Sequence, residues 1–511
     1  MLLPVLLIVL FALMGLPLFA CLTALGLFGL HHAGSPLSGG LEDVSQLTGD
    51  KAVSLSTIPL FTFAGYVMAQ AKTAQRLVRM GTSLLGWIPG GLALLTLWTC
   101  AFFTTFTGAS GVTIVAVGGL ILPALERAKY SKRFSLELVT GSGAVGLLFP
   151  PSLPLIVYGI IFGLTRGHSG GGATELAEFS VEKFLFAGIV PGLVLLGILS
   201  TYCVFEGWRS KAPREPFALW KPFAIALPPI GIPWGLAVDE EFRMALWDLK
   251  WEIPIPFLVI GLLATGWAQI PESAALCALY VLIIEVFVYK DISVRRDLLK
   301  LTRESMTLVG AIFVKMIGAT LLTAFFIYAE VPTQLFEWLS QYVHGAGTFL
   351  LVMNVVLLLV GCLMDIFSAI IVVVPLIVPA ANTFGIDPYH LGVIFLLNLE
   401  IGYLLPPAGL NLFIAAFRFN RPITELYRAV VPFILLMALT LGIVTYVPSL
   451  TVVPGRATTT AAAPAAAPSE PAVDPLGDEK PAAPAVDPLA DEPPLAHDGG
   501  PEAAASGDAG R

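Results

Sequence analysis

Apolar stretches of 17 residues or more recur along this 511-residue chain, each long enough to cross a bilayer. Inside hydrocarbon a backbone must satisfy its own hydrogen bonds, so only helices and closed barrels can span. The runs are too long and too uniformly apolar to be the short alternating strands of a barrel. Charged residues make up 13% of the chain against 56% hydrophobic, and mean hydropathy is +0.84. A soluble domain carries about one quarter charged residues. An all-α polytopic membrane protein follows, and a soluble fold with buried helices does not. The five cysteines stand singly in or beside apolar segments, without metal or disulfide spacing, and read as small packing residues.

Loop charge gives an orientation. Basic residues cluster at Arg76 and Arg79, at 127–133, at 209–221, at 290–303, and at Arg418 and Arg421. These loops are placed in the cytoplasm, and the segments 31–50, 165–182 and 329–346 outside. Both ends of the apolar run 84–125 then lie inside. Its middle, FTTFTGASGVT at 103–113, has no charge to hold a turn in outer water. We expect a re-entrant hairpin entering from the cytoplasm, with its tip near Thr107–Gly111. The run 347–382, around GCLMDIFSA at 361–369, has both flanks outside and reads as a second hairpin from the opposite face. Opposed hairpins imply inverted repeats.

A second element repeats as well. Gly146-Leu-Leu-Phe-Pro-Pro-Ser152 matches Gly402-Tyr-Leu-Leu-Pro-Pro-Ala408, and 402 less 146 is an offset of 256. Each copy follows its hairpin, and each precedes a proline-bearing apolar segment, AGIVPG at 187–192 and RAVVPF at 428–433. The pairs Pro150-Pro151 and Pro406-Pro407 remove backbone donors and interrupt the helix. Inside a membrane, unwound carbonyls and half-helix ends are coordination groups, N-terminal ends favouring anions and carbonyl ends favouring Na⁺. The breaks are therefore read as a mid-membrane ion or substrate site.

The chain divides into residues 1–206, with the first hairpin and first broken helix; 207–252, an extended cytoplasmic or interfacial linker; 253–448, with the second hairpin and second broken helix; and a Pro/Ala-rich acidic tail, 449–511. Charge parity makes 222–238 interfacial or re-entrant rather than spanning. From residue 455 onward the tail has ten acidic and three basic residues, which supply −7 of the net −8, and PAVDPL appears twice. Such a composition reads as disorder, and parity puts the tail in the periplasm.

Several stretches together resemble the large membrane subunit, DctM type, of tripartite ATP-independent periplasmic (TRAP) transporters. They are SLSTIPLFTFAG at 54–65, FFTTFTGASGVTIVAVGGLILPAL at 102–125, GLLFPPSLPLIVYG at 146–159, PESAALCALY at 271–280, GCLMDIFSAIIVVVPLIVPA at 361–380 and NLEIGYLLPPAGLNLF at 398–413. The resemblance covers roughly residues 1–448. It implies an elevator-type, Na⁺-driven importer of the bacterial inner membrane. It implies a small four-helix membrane subunit, expected as a separate chain because the pattern begins almost at Met1, and a soluble periplasmic substrate-binding protein. The cargo it implies is a C4-dicarboxylate, a sugar acid or a related organic anion. No nucleic-acid partner is expected. Two departures stand out. Leu405 replaces the family's common Thr before the second Pro-Pro pair, which leaves its carbonyl but removes a side-chain oxygen. Glu272, in PES at 271–273, lies one place early.

Asp365 is the strongest single candidate, because a carboxylate within an intramembrane run is costly unless it functions. Ser368 could add an oxygen or bond its own backbone. Thr107, Ser110 and Thr113 line the first tip and, with Leu148–Ser152, are candidates for a first Na⁺ site. Gly361, Asp365, Ser368, Asn398 and Leu405 are candidates for a second. Gly108 and Gly111, Gly146, Gly402 and Gly409 are read as allowing reversal or close approach, with plain helix packing as the alternative. Glu400 is read as an ion or proton participant, or as lying paired or near the water layer. Lys315, isolated at 306–328, is read as snorkelling, contacting lipid headgroups or pairing with an acid, and not as a substrate ligand. Neither tip contains arginine, so hydroxyls, backbone N–H groups, half-helix dipoles and Na⁺ would bind an anion.

Rival functions find little support. There is no HExxH, CxxC or GxxxxGK[ST], and GHSGG at 167–171 matches GxSxG in a glycine-rich outer loop without the required strand–turn–helix setting. A membrane scaffold would not account for paired interruptions in two halves. A Na⁺-coupled anion symporter acting without a binding protein is the nearest functional alternative.

Overall fold

The computed structural model describes residues 16–34, 37–46, 55–168, 179–212, 240–343, 345–407 and 409–451. The expectations for 222–238 and for almost all of the tail lie outside these residues, as does most of GHSGG. Every described element is helical. In chain order they are α1 (Leu18–His32), α2 (Leu37–Gln46), α3 (Thr57–Gln70), α4 (Thr73–Leu85), α5 (Gly91–Thr107), α6 (Ser110–Arg127), α7 (Lys132–Ser142), α8 (Leu153–His168), α9 (Val181–Arg209) and α10 (Glu240–Leu249). The second series is α11 (Pro254–Thr265), α12 (Ile270–Val288), α13 (Val294–Tyr328), α14 (Val331–Ser340), α15 (Ala346–Leu363), α16 (Ile366–Thr383), α17 (Pro388–Gly402), α18 (Leu410–Phe419), α19 (Ile423–Ala429) and α20 (Val431–Tyr446). Among the described residues, six helices are long and apolar enough to cross a membrane, or up to eight if each of two bent pairs counts as one. All five cysteines are buried and free.

The interruptions fall where the sequence places them. α5 stops at Gly108, whose φ of +60° is the left-handed conformation that suits glycine. A Cβ there would also meet Leu153 at 2.6 Å. α6 restarts at Ser110. In the second hairpin α15 ends at Leu363, and α16 starts behind Asp365, whose side chain accepts from the Ser368 backbone N–H as an N-cap. Thr107 to Leu363 and Ser110 to Ile366 are both steps of 256, the offset of the Pro-Pro motifs. α7 begins behind Ser131, which caps the Phe134 N–H at 3.2 Å, and runs out at Ser142. A short 3-10 turn, Val145–Leu148, and the cis Pro150-Pro151 bond separate it from α8, with a bend of 43°. α17 and α18 flank the matching cis Pro406-Pro407 bond.

Packing repeats with the same register. α5 packs on the turn of the first break, and α15 packs on α17. The second arm of each hairpin also reaches the post-break helix of the other half, α16 on α8 and α6 on α18. Hairpins and broken helices thus interlock across the halves. Around them α1 lies along α13, and α3 packs between α12, α13 and α5. Glu272 is occupied locally: it forms a capping box with Gln269 at the start of α12, accepting the Gln269 N–H at 2.9 Å.

Candidate functional site

Each first hairpin arm is bound to a break by polar contacts that hold unwound backbone. In the first half, Thr104 Oγ1 lies 2.8 Å from the Gly143 carbonyl, and Thr105 Oγ1 lies 3.1 Å from the Gly146 carbonyl. These hydroxyls answer the need for partners that a broken intramembrane helix creates. Thr113 is drawn into the same set, with its hydroxyl 2.8 Å from Thr104 Oγ1. In the second half the join is closer and less polar. A Cβ on Gly402 would stand 2.5 Å from the carbonyl carbon of Gly361. The Cys362 thiol donates to the Leu405 carbonyl at 3.3 Å, and the Ile366 N–H donates to the Tyr403 hydroxyl at 2.6 Å. The Leu405 carbonyl also accepts the Gly409 N–H at 3.0 Å, so the oxygen left at this position is engaged.

Both tips open onto one cavity of 860 Å³. Gly108, Ala109, Ser110 and Gly111 line it from the first tip, and Asp365 from the second. Tyr403 and Leu147 come from the breaks, and Lys315 from the middle of α13. Ser110 Oγ donates to Asn411 Oδ1 of α18 at 2.6 Å, tying the first tip to the second half. Lys315 Nζ lies 2.9 Å from Asp365 Oδ1, with the two side chains 23% and 29% exposed. Ser368 Oγ donates to the same carboxylate oxygen, and the Ser368 N–H lies 3.3 Å from Oδ2. Of the readings open for Lys315, pairing with an acid is the one found, and its place is the cavity wall.

The other candidates lie behind this surface. Thr107, Thr113, Leu148, Ser152, Ser368 and Asn398 are fully buried. Asn398 donates at 2.8 Å to Asn354 Oδ1 of α15, and Asn354 Nδ2 donates to Thr445 Oγ1 of α20 at 3.1 Å, so it braces the second hairpin arm. Among the described residues, its own Oδ1 and the Ser152 hydroxyl find no hydrogen-bond partner. Glu400 departs from the reading that places it near water or paired, because it is fully buried and, among the described residues, neither carboxylate oxygen is hydrogen-bonded. Gly111 and Gly409 stand where a Cβ would meet Ile414 and the Tyr403 carbonyl, respectively. Sequence reasoning did not single out Thr104, Thr105, Tyr403 or Asn411. The adjacent threonines before the tip were the available signal for the first two.

Two helix interruptions and two Pro-Pro breaks that meet at one cavity within a bundle of membrane-length helices fit a membrane transport protein. The family described as "Tripartite ATP-independent periplasmic transporter, DctM component" matches residues 5–450, and the chain belongs to it. The isethionate TRAP transporter permease protein DctMQ of Oleidesulfovibrio alaskensis is 32% identical over 450 residues, which are 86% of this chain. The match spans 64% of that relative's length, less than two thirds. The C4-dicarboxylate TRAP transporter large permease protein DctM of Rhodobacter capsulatus is 32% identical over 405 residues, 79% of this chain and 87% of the relative. In fold, the chain is similar to the crystal structure of the Alcanivorax borkumensis YdaH transporter. The TM-score is 0.57 at 15% identity, covering 86% of this chain and 97% of that one. The protein is thus a multi-pass transport protein of the bacterial inner membrane, and not an enzyme.

Proposed function

We propose that this chain is the permease of an importer in which a Na⁺ gradient drives uptake of an organic anion delivered by a periplasmic binding protein, with a small membrane subunit as partner. The observation that carries the reading is the convergence of both tips and both breaks on one cavity. Isethionate and C4-dicarboxylates, named for the relatives above, are both organic anions. The first tip offers backbone amides and Ser110, and Lys315 offers a cation. Na⁺ takes carbonyl and hydroxyl oxygens, which the broken helices supply. Thr107, Ser110, Thr113 and Leu148–Ser152 are proposed for one ion site, and Gly361, Asp365, Ser368, Asn398 and Leu405 for another. The cavity wall extends to Gln70, Leu301, Glu304 and Arg418. These residues adjoin loops that the charge pattern places in the cytoplasm, so the conformation is read as inward-facing.

The motion proposed is an elevator. The two repeats have inverted topology, and hairpins and broken helices move together because each half's polar breaks are satisfied by the other parts of that unit. α1, α3 and α11–α13 form the frame. The test is uptake by proteoliposomes holding this chain and the small subunit, with the loaded binding protein outside. An imposed Na⁺ gradient should accelerate uptake, and removal of the binding protein should abolish it. Uptake indifferent to both would sink the reading. Uptake that needs Na⁺ alone would leave a symporter without a binding protein.

A further inference from the structure

The Lys315–Asp365 pair joins the two parts that the proposed motion separates. Lys315 belongs to α13, and Asp365 to the second tip. We infer that the pair is exchangeable: an anionic group of the substrate takes Lys315, and the released Asp365 carboxylate, with Ser368, takes the coupling cation. The inference deepens the reading above and rests on it.

Three observations point this way. First, the pair stands at the cavity wall with both side chains partly exposed, and a partly solvated ion pair is held weakly. An incoming carboxylate or sulfonate can compete for the ammonium on nearly equal terms. Second, an ammonium has three donors, and Asp365 is the acceptor found for Lys315 among the described residues. Its remaining donors are free to engage an anion before the old contact breaks, so exchange needs no bare charge. Third, Asp365 Oδ1 is engaged twice, by Lys315 and by the Ser368 hydroxyl. In this arrangement its charge is already neutralised by a fixed cation, which opposes Na⁺ at the same carboxylate. Once an anion holds Lys315, that opposition ends, while Ser368 remains beside the carboxylate as an added oxygen.

Arg418, the other cavity cation, is differently placed. Its Nε donates to the Val115 carbonyl at 3.3 Å, and its guanidinium covers Gly119 of α6. It braces the first hairpin and, among the described residues, is ion-paired to no carboxylate whose release could be coupled to an anion. Among the described residues, Lys315 is therefore the cation through which anion and Na⁺ binding can be linked. Linkage is reciprocal, so each ligand must strengthen the other by the same factor.

The experiment uses the full-length chain in nanodiscs. Binding of ²²Na⁺ is measured with and without succinate or isethionate, and binding of the labelled anions with and without Na⁺. In the wild type, anion should raise Na⁺ affinity by about fivefold or more, the usual lower range of such coupling. K315Q should bind Na⁺ more tightly than wild type with no anion present, and should lose the response to anion. D365N should bind anion more tightly than wild type without Na⁺, and should lose the response to Na⁺. A pair that is merely a structural tie would move neither affinity upward. Unchanged or weakened Na⁺ binding in folded K315Q overturns the exchange even if neither anion probe binds. If K315Q does not fold, D365N decides by the same rule. A wild type that binds no Na⁺ overturns the proposed coupling and this inference together, whereas wild-type coupling with both variants unshifted overturns the exchange alone.

Discussion

Gly402 faces Gly361 so closely that a Cβ on Gly402 would stand 2.5 Å from the Gly361 carbonyl carbon and 2.6 Å from its Cα. The obstructing atoms are backbone, which cannot rotate away. Gly402→Ala must therefore part the second hairpin from its broken helix, at a cost of about 1–3 kcal/mol for overpacking. Gly442, on α20, has none of the described residues within 4 Å of an added Cβ and is the control. Thermal unfolding of the purified protein in detergent should show a clear loss for Gly402→Ala and almost none for Gly442→Ala. Equal behaviour of the two would remove close packing as the reason for the glycine.

The first half meets the same need with hydroxyls. Thr105 and Gly146 lie 256 residues before Gly361 and Gly402, and Thr105 Oγ1 approaches the Gly146 carbonyl at 3.1 Å. Thr104→Val and Thr105→Val keep the shape and remove the donor. Each should cost about 1–3 kcal/mol, because a buried carbonyl of the break loses a partner. Serine at either position should restore most of the loss in the same unfolding assay. If valine and serine variants behave alike, shape rather than hydrogen bonding holds the break.

Arg76 is one of the cations whose position in sequence assigns a loop to the cytoplasm, yet its side chain is only 12% exposed. It is ion-paired to Glu252 and Asp291, lies 3.7 Å from Glu285, and stacks 3.7 Å over the Tyr289 ring. Burial raises the Glu252 pKa above the ordinary carboxylate value of 4.5, and the Arg76 charge is the largest opposing influence. A carboxyl with a raised folded pKa contributes stability at low pH and loses it as pH rises through that value. Arg76→Met removes the opposing cation and raises the Glu252 pKa further. Its deficit should be about 3–5 kcal/mol where the carboxylates must ionise, the usual cost of breaking a buried pair. It should shrink as pH falls from neutral towards the ordinary carboxylate value of 4.5, because protonation replaces the missing cation. Unfolding temperatures of variant and wild type across that range provide the check, and a deficit independent of pH would assign the loss to packing alone.

The helix interruptions at Gly108 and Asp365, both Pro-Pro breaks and their common offset were legible because each is a local event. Gly108 marks a chain reversal, Asp365 caps the helix that follows it, and paired prolines cannot continue a helix. Partners distant in sequence were not legible. Nothing near Arg76 indicates Glu252, 176 residues away, and nothing near Ser110 indicates Asn411, 301 residues away. Glu400 shows the same limit from the other side. A carboxylate two residues before a helix break looks accessible in sequence, and only packing from several helices encloses it. Lys315 was recognisable as an intramembrane charge, with snorkelling, headgroup contact and an acid partner all open, and the choice of Asp365 depends on how the second tip meets α13.

The two side-chain contacts of the tips allow the proposed motion to be tested directly. Ser110 and Asn411 join a hairpin tip to a broken helix, both within the unit proposed to move. Lys315 and Asp365 join that unit to the frame. In a background with the five native cysteines replaced, cysteine pairs at 110/411 and at 315/365 can be bridged by a short bifunctional reagent and released by reduction. A restraint within a rigid body leaves its displacement free, whereas one between moving and fixed parts opposes it. Both pairs remove candidate binding groups, so each is compared with itself before and after bridging rather than with wild type. Bridging 110/411 should leave most of that pair's residual Na⁺-driven uptake, and bridging 315/365 should abolish, until reduction, the downhill anion exchange that this pair retains without Na⁺ coupling. If bridging 110/411 stops uptake while bridging 315/365 does not, the tips gate access individually, and the unit does not travel as one body.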